Sequence, residues 1–387
     1  MLTEKSQADT AVHGGRRVSS LDGLRGLAAM SVVFLHLFSS LQGSNIPSLS
    51  IFDQIFGWAQ KTPLSAVWGG SQAVYLFFIL SGFALSSMLD SFRSGYFAYL
   101  VRRILRLWAP SFVVTAISIV AIFAFAPGPN PSLGVWYNSI VPGKLTTWDA
   151  FNSALLLGEF DATRVNFVIW SLVHELRLSI IFPLLLLLVR RVPLGVALTA
   201  SLALSVIVLS ARQGGYISSN KVSFLSTVIY QAFFVVGIAI HDKQAYLISV
   251  MSRWPGLTRA CIFILGVTIY SGVFGSLYLS GLLGGATMVV FALVPGRVSK
   301  ALSTRPILWL GMISYSLYLV HPILIVYAFD LVHSAPAALV AAVLVVPTTL
   351  VIAHFFATWV EYPLNRLGVA LSKKVVPRAP AASTGVS

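Results

Sequence analysis

Apolar runs long enough to cross a hydrocarbon layer recur along this chain, and they limit its fold more than any other feature. They cover roughly 22–41, 68–89, 101–126, 166–189, 193–211, 222–241, 256–274, 277–294, 307–329 and 335–360. About 20 apolar residues in a helix cross about 30 Å of hydrocarbon, and uninterrupted runs of this length span lipid as helices because their backbone groups then satisfy one another. With 57% of its 387 residues hydrophobic and 10% charged, the chain is too apolar for one aqueous core. The expected fold is all-α, a polytopic transmembrane helix bundle of about ten spans.

The net charge of +14 does not point to nucleic acid, because the basic residues fall in short segments between apolar runs. An even number of spans puts both termini on one side. If that side is cytoplasmic, twenty of the 26 Lys and Arg lie inside, while Lys61, Lys144, Arg164, Arg212 and Lys221 lie outside and Arg177 sits within a span. That asymmetry makes both termini cytoplasmic. Arg16 and Arg17 ahead of the first run mimic a signal peptide, but no small-residue cleavage site follows and the run holds Arg25 and His36, so an uncleaved first span is expected. Residues 1–20 are read as a polar cytoplasmic segment and 367–387 as a disordered cytoplasmic tail. The lone Cys261 supplies neither a disulfide nor a cysteine-based metal site, and no metal is expected.

Ionisable residues inside spans are costly and so are functional candidates. Arg25 and His36 are eleven residues apart, about three turns and 16 Å of rise, which puts both on one face. Arg103 and Arg106 share a face at the inner end of the third run, where forked guanidiniums suit phosphate, although ordinary positive-inside anchoring also accounts for them. The fourth run carries His174, Glu175 and Arg177, and the ninth carries His321 at nearly the depth of His36. His174 with Glu175 also reads as a plain helix-helix polar contact, and a lone histidine such as His321 or His354 as a hydrogen-bonded structural residue. Glu361 is expected to pair with a cytoplasmic arginine. The long outer segment 127–165, rich in proline and aromatics, reads as a lid or acceptor-binding element that gates access, or else as a plain connector.

Taken in order, the motifs resemble the acyltransferase type 3 family of polytopic membrane acyltransferases over Leu21 to about Arg366. LDGLRGLAAMSVVFLHLF is similar to its arginine, ten residues, histidine signature; VYLFFILSGFALS, holding Ser81, to its FFxLSGF span; and RRILRLWAP to its basic motif. WSLVHELRLSIIFPL, LGMISYSLYLVHPIL and WVEYPLNR look like the WSLxxE, GxxSYSLYLxH and ExPxxR segments. The resemblance implies one domain over 21–366 in a bacterial cytoplasmic membrane. It would take an acyl group from acyl-coenzyme A, most simply acetyl-coenzyme A, as a donor substrate with no tightly bound cofactor, and pass it to a carbohydrate hydroxyl. Glycan-assembly proteins and membrane lipids are the implied partners.

On that reading His36 is the central catalytic residue, deprotonating a hydroxyl or carrying the acyl group itself. Glu175 orients or charge-balances its ring, and Arg25, Arg103 and Arg106 hold the coenzyme's phosphates. His321, His174 and Ser81 are supporting candidates. Departures from the family pattern are His174 before Glu175 and the lack of a fused soluble hydrolase-like domain, from which direct transfer is expected. Competing readings are acylation of a small natural product such as a macrolide, a lipid acceptor, and a polytopic transporter without acyltransferase activity.

Overall fold

The computed structural model describes residues 18–92, 94–156, 158–213 and 222–375, and the N-terminal segment before Val18 lies outside them. Among the described residues the chain is all-helical, with no strand. Eight helices are long and apolar enough to cross a membrane. They are α1 (Ser19–Leu41), α2 (Gly70–Ser91), α3 (Gly95–Phe125), α4 (Ile169–Arg191), α5 (Leu194–Gln213), α6 (Phe224–Asp242), α7 (Arg305–Asp330) and α8 (Ala335–Lys374).

The seventh and eighth apolar runs form the shorter helices Gly256–Tyr270 and Leu277–Leu293. Gly272 and Gly275 sit between them at φ +83° and +97°, a backbone that ends a helix and that glycine adopts at little cost. The tail expected from residue 367 is helical as far as Lys374. Its face is held because Gly368 lies against Leu105 and Arg102 of α3, where a side chain would crowd the contact. The rest of the expected tail, from residue 376, lies outside the described residues.

Glycine contacts position the centre of the bundle. A Cβ on Gly26 of α1 would lie 2.4 Å from the Gly311 nitrogen of α7, and one on Gly311 would lie 2.3 Å from the Asp22 oxygen. The two backbones therefore touch, the close approach that small residues permit between membrane helices. His36 and His321 also meet. Each lies ten residues beyond its glycine, so α1 and α7 run parallel and in register. The α2–α6 pair uses the same device in the opposite direction, with Gly82 against Phe234 and Gly237 against Ile79.

The segment between α3 and α4, which the sequence reading expects to be the outer segment, is folded. It contains the short helices Val135–Ile140 and Thr147–Leu155. Asn130 gives its side-chain N–H groups to the carbonyls of Phe329 (3.2 Å) and Val332 (2.8 Å) at the end of α7. Tyr137 donates to Val326 O at 2.9 Å; burial, with Asp330 and Tyr327 nearby, raises this hydroxyl above the ordinary tyrosine range and keeps it a donor. Trp108 of α3 donates to Ala154 O at 2.8 Å, and Gly134 packs directly on Gln42 O beyond the end of α1. Tied to α1, α3 and α7, this segment caps the end of the bundle where α1 and α7 terminate.

Candidate functional site

Two polar layers lie inside the bundle, about 16 Å apart along α1. The one nearer the N-terminal end of α1 gathers the arginines. Arg103 donates to Ser179 Oγ at 2.7 Å and reaches Glu175 Oε1 at 3.5 Å, while Ser81 Oγ donates to the same carboxylate oxygen at 2.8 Å. α2, α3 and α4 are thereby joined through Glu175. Arg25 lies 3.6 Å from Asp22, one turn away on α1.

Arg106 is exposed, yet Arg25, Arg103, Glu175 and Glu361 all act on it electrostatically. Its guanidinium belongs to a charged cluster, the arginine chamber, made by groups on α1, α3, α4 and α8, and among the described residues no carboxylate lies within ion-pair distance of it. Glu361 enters this chamber at the end of a π-turn, Ala357–Glu361, and accepts from Ser316 Oγ at 2.6 Å. The expected arginine partner of Glu361 is present only as an electrostatic neighbour. Tyr315 roofs the chamber by donating to Leu107 O.

The outer layer is built on His36. Its Nδ1 lies 2.9 Å from His321 Nε2, and His321 Nδ1 lies 3.0 Å from Leu317 O. These contacts determine the tautomers. A carbonyl oxygen only accepts, so His321 carries its proton on Nδ1 and, when neutral, offers a lone pair on Nε2. His36 must then donate from Nδ1, which leaves its Nε2 lone pair unused. Among the described residues nothing hydrogen-bonds that nitrogen, and His36 is only partly buried, whereas His321 is 0% exposed. Trp136 lies parallel to the His36 ring at 5.5 Å and 17°, and Phe167 meets it edge-on at 4.9 Å. The outer segment thus covers His36 with one aromatic ring and walls it with a second.

Compared with the sequence expectations, Arg25, Arg103 and Arg106 come together, and so do His36 and His321. Glu175 does not join the histidines: Arg103 and Ser81 hold it in the arginine layer, and the partner of the His36 ring is His321. His174 points to α6, with its Nδ1 2.9 Å from Thr227 Oγ1. Arg177 donates to the carbonyls of Gly158 and Ser223 (both 2.8 Å) and lies over the Phe224 ring. Trp136, Phe167 and Ser179 were not anticipated; the aromatic richness of segment 127–165 was the only hint of the first. Among the described residues no cluster of His, Cys, Asp or Glu has the arrangement of a metal site.

Eight helices long and apolar enough to cross a membrane, packed around buried polar side chains, mark a multi-pass membrane protein. The family model for the type 3 acyltransferase domain matches residues 18–358, and the chain belongs to that family. It is 22% identical to the peptidoglycan O-acetyltransferase OatA of Listeria monocytogenes over 93% of this chain and 57% of that protein. Against YrhL of Bacillus subtilis, provisionally named a peptidoglycan O-acetyltransferase, it is 24% identical over 91% of this chain and 56% of that protein. The acyltransferase MdmB of Streptomyces mycarofaciens is 31% identical over 46% of this chain and 41% of its own length. The chain spans a little over half the length of the first two relatives. No solved structure matches it.

Proposed function

We propose that this protein is an O-acyltransferase, most simply an O-acetyltransferase, that takes the acyl group of cytosolic acyl-coenzyme A and passes it to a hydroxyl of a cell-surface or exported glycan. It does so from the bacterial cytoplasmic membrane, with about ten spans and both termini inside. The observation that carries the reading is the tautomer-locked His36–His321 pair above the arginine chamber. Names of relatives support a peptidoglycan-like acceptor.

In this reading the coenzyme's phosphates occupy the chamber of Arg25, Arg103 and Arg106, with Arg106 as the guanidinium free of a carboxylate partner. The thioester arm runs outward to His36. His36 Nε2 accepts the proton of the acceptor hydroxyl as its oxygen attacks the thioester carbonyl. The C–O bond forms, the C–S bond breaks, and the proton on Nε2 passes to the departing thiolate. During this step His36 is an imidazolium, and the His321 Nε2 lone pair accepts its Nδ1–H. Trp136 and Phe167 shield the thioester from water, and the outer segment admits the acceptor.

The test uses purified wild type, His36→Ala and Arg103→Ala with radiolabelled acetyl-coenzyme A and a peptidoglycan fragment, following both coenzyme binding and label transfer. His36→Ala is expected to bind coenzyme A and lose transfer, and Arg103→Ala to bind it weakly. Undiminished transfer by His36→Ala would overturn the mechanism. Absence of coenzyme A binding by folded wild type would overturn the donor assignment.

A further inference from the structure

α8 is too long for its span. Its 40 residues measure about 60 Å at about 1.5 Å each, whereas about 30 Å crosses the hydrocarbon. Trp359, exposed and stacked on Phe355 at 4.8 Å, marks the interface level where membrane tryptophans gather. The π-turn Ala357–Glu361 interrupts the helix there, as such turns do where helices kink. The remaining segment, Tyr362–Lys374, therefore lies beyond the span, at the end of the bundle that holds the arginine chamber.

Its sequence divides this segment lengthwise. Gly368 and Ser372, one turn apart, are buried, with Gly368 against Leu105 and Arg102 of α3. Leu367, Leu371 and Val375 recur at four-residue spacing and are exposed, an apolar stripe along one face. Arg366, Lys373 and Lys374 are exposed beside or within that stripe, and no acidic residue occurs between Tyr362 and Val375. The adjoining part of α3 carries exposed Phe97 and Ile104, two turns apart on one face. An exposed apolar stripe edged by cations is the pattern of a helix lying in a membrane surface.

We infer that the end of α8, with the start of α3, docks on a leaflet surface rich in anionic phospholipid and so holds the arginine chamber in its working shape. The docking stands on the geometry above; the coupling to the chamber rests on the reading of that chamber as the donor site. Lipid is the occupant because the segment continues a helix that crosses lipid. Anionic headgroups are selected because each basic residue near such a surface adds attraction and no carboxylate in the segment offsets it. The path to the chamber is short. Glu361, where the segment begins, accepts from Ser316 Oγ at 2.6 Å and acts on Arg106, and Tyr362 donates to Met312 O at 3.1 Å. Gly368 touches the turn of α3 from which Arg103 and Arg106 project. A segment drawn off the membrane therefore pulls on the chamber at two points.

The experiment uses the full chain in vesicles of phosphatidylcholine alone or of an equimolar mixture with phosphatidylglycerol. Leu371→Cys in a background of Cys261→Ser, which removes the exposed native thiol, carries an environment-sensitive dye, and either lipid is supplied in brominated form as quencher. The dye is expected at headgroup depth, quenched more by brominated phosphatidylglycerol than by brominated phosphatidylcholine. Lys373→Glu combined with Lys374→Glu is expected to erase that preference. In the mixed vesicles alone it should also weaken coenzyme A binding about fivefold or more, the weight of one basic residue beside an anionic surface. High salt should remove that difference. A dye exposed to water in both lipids overturns the docking. One shielded from water yet unquenched assigns the stripe to a second copy of the chain and overturns it too. Equal quenching by the two lipids overturns the choice of headgroup. Docking with coenzyme A affinity unmoved by the charge reversal overturns the coupling and leaves the donor reading standing. If folded wild type binds no coenzyme A in either vesicle, the donor reading and the coupling both fall, while the dye still decides the docking.

Discussion

Replacing His321 isolates the contribution of the tautomer lock. His321→Leu keeps a similar apolar bulk at a fully buried position but removes the acceptor 2.9 Å from His36 Nδ1. When His36 takes a proton, its Nδ1–H then faces no lone pair. A hydrogen bond to a charged group contributes about 1.5–3 kcal/mol, and about 1.4 kcal/mol corresponds to a factor of ten. That part of the loss is therefore about 10- to 150-fold in kcat. A further loss follows because neutral His36 is no longer held as the Nδ1–H tautomer and carries its free lone pair on Nε2 only part of the time. The KM for acetyl-coenzyme A is expected to stay within about twofold, since Arg103 and Arg106 are untouched. His321→Gln restores an amide oxygen as acceptor and an amide N–H for Leu317 O, and it should recover at least tenfold of the lost kcat. The assay is thiol release from acetyl-coenzyme A in the presence of glycan acceptor, with ester formation followed in parallel. A His321→Leu protein with wild-type kcat would refute the reasoning, and so would one whose loss lies wholly in KM.

Gly26→Val places a branched side chain where a single Cβ already comes 2.4 Å from the Gly311 nitrogen; a loss of about 1–3 kcal/mol or more of stability and near-complete loss of transfer are expected, read by thermal unfolding and by activity. Arg103→Lys should recover at most part of the Arg103→Ala loss, because Arg103 Nη2 alone reaches both Ser179 Oγ and Glu175 Oε1 and a lysine ammonium ends one bond short of that position; the donor KM of each variant checks this. Trp136→Ala forfeits a ring contact worth about 0.5–1.5 kcal/mol and uncovers His36, so hydrolysis of acetyl-coenzyme A without acceptor should rise relative to transfer. A wild-type ratio of hydrolysis to transfer would remove Trp136 from the site.

Most of the bundle was legible in the sequence because helix formation in lipid depends on local apolar runs. The seventh run differs because its helix stops at Tyr270, ahead of Gly272 at φ +83°, and the eighth forms only the short helix Leu277–Leu293. Arg25 and His36 were legible as a pair because helical periodicity puts them on one face, and His321 because its distance along its own run matched the depth of His36. Periodicity gives depth and face but not azimuth around the bundle. Glu175 was therefore assigned to His36, whereas the packing of α2, α3 and α4 turns it to Arg103 and Ser81. Trp136 lay beyond any such rule. It reaches His36 only because Asn130, Gly134 and Tyr137 fix an irregular segment to the ends of α7 and α1, and those ties are formed by side-chain and backbone contacts with no repeat to read. The same ties bear on function. A segment tied to three separate helices does not yield at one residue alone, so an acceptor that reaches His36 past Trp136 must either displace the segment with its Tyr137–Val326 bond or enter beside it. Hydrogen exchange at Tyr137 and Asn138, faster with acceptor bound in the first case and unchanged in the second, separates the two routes.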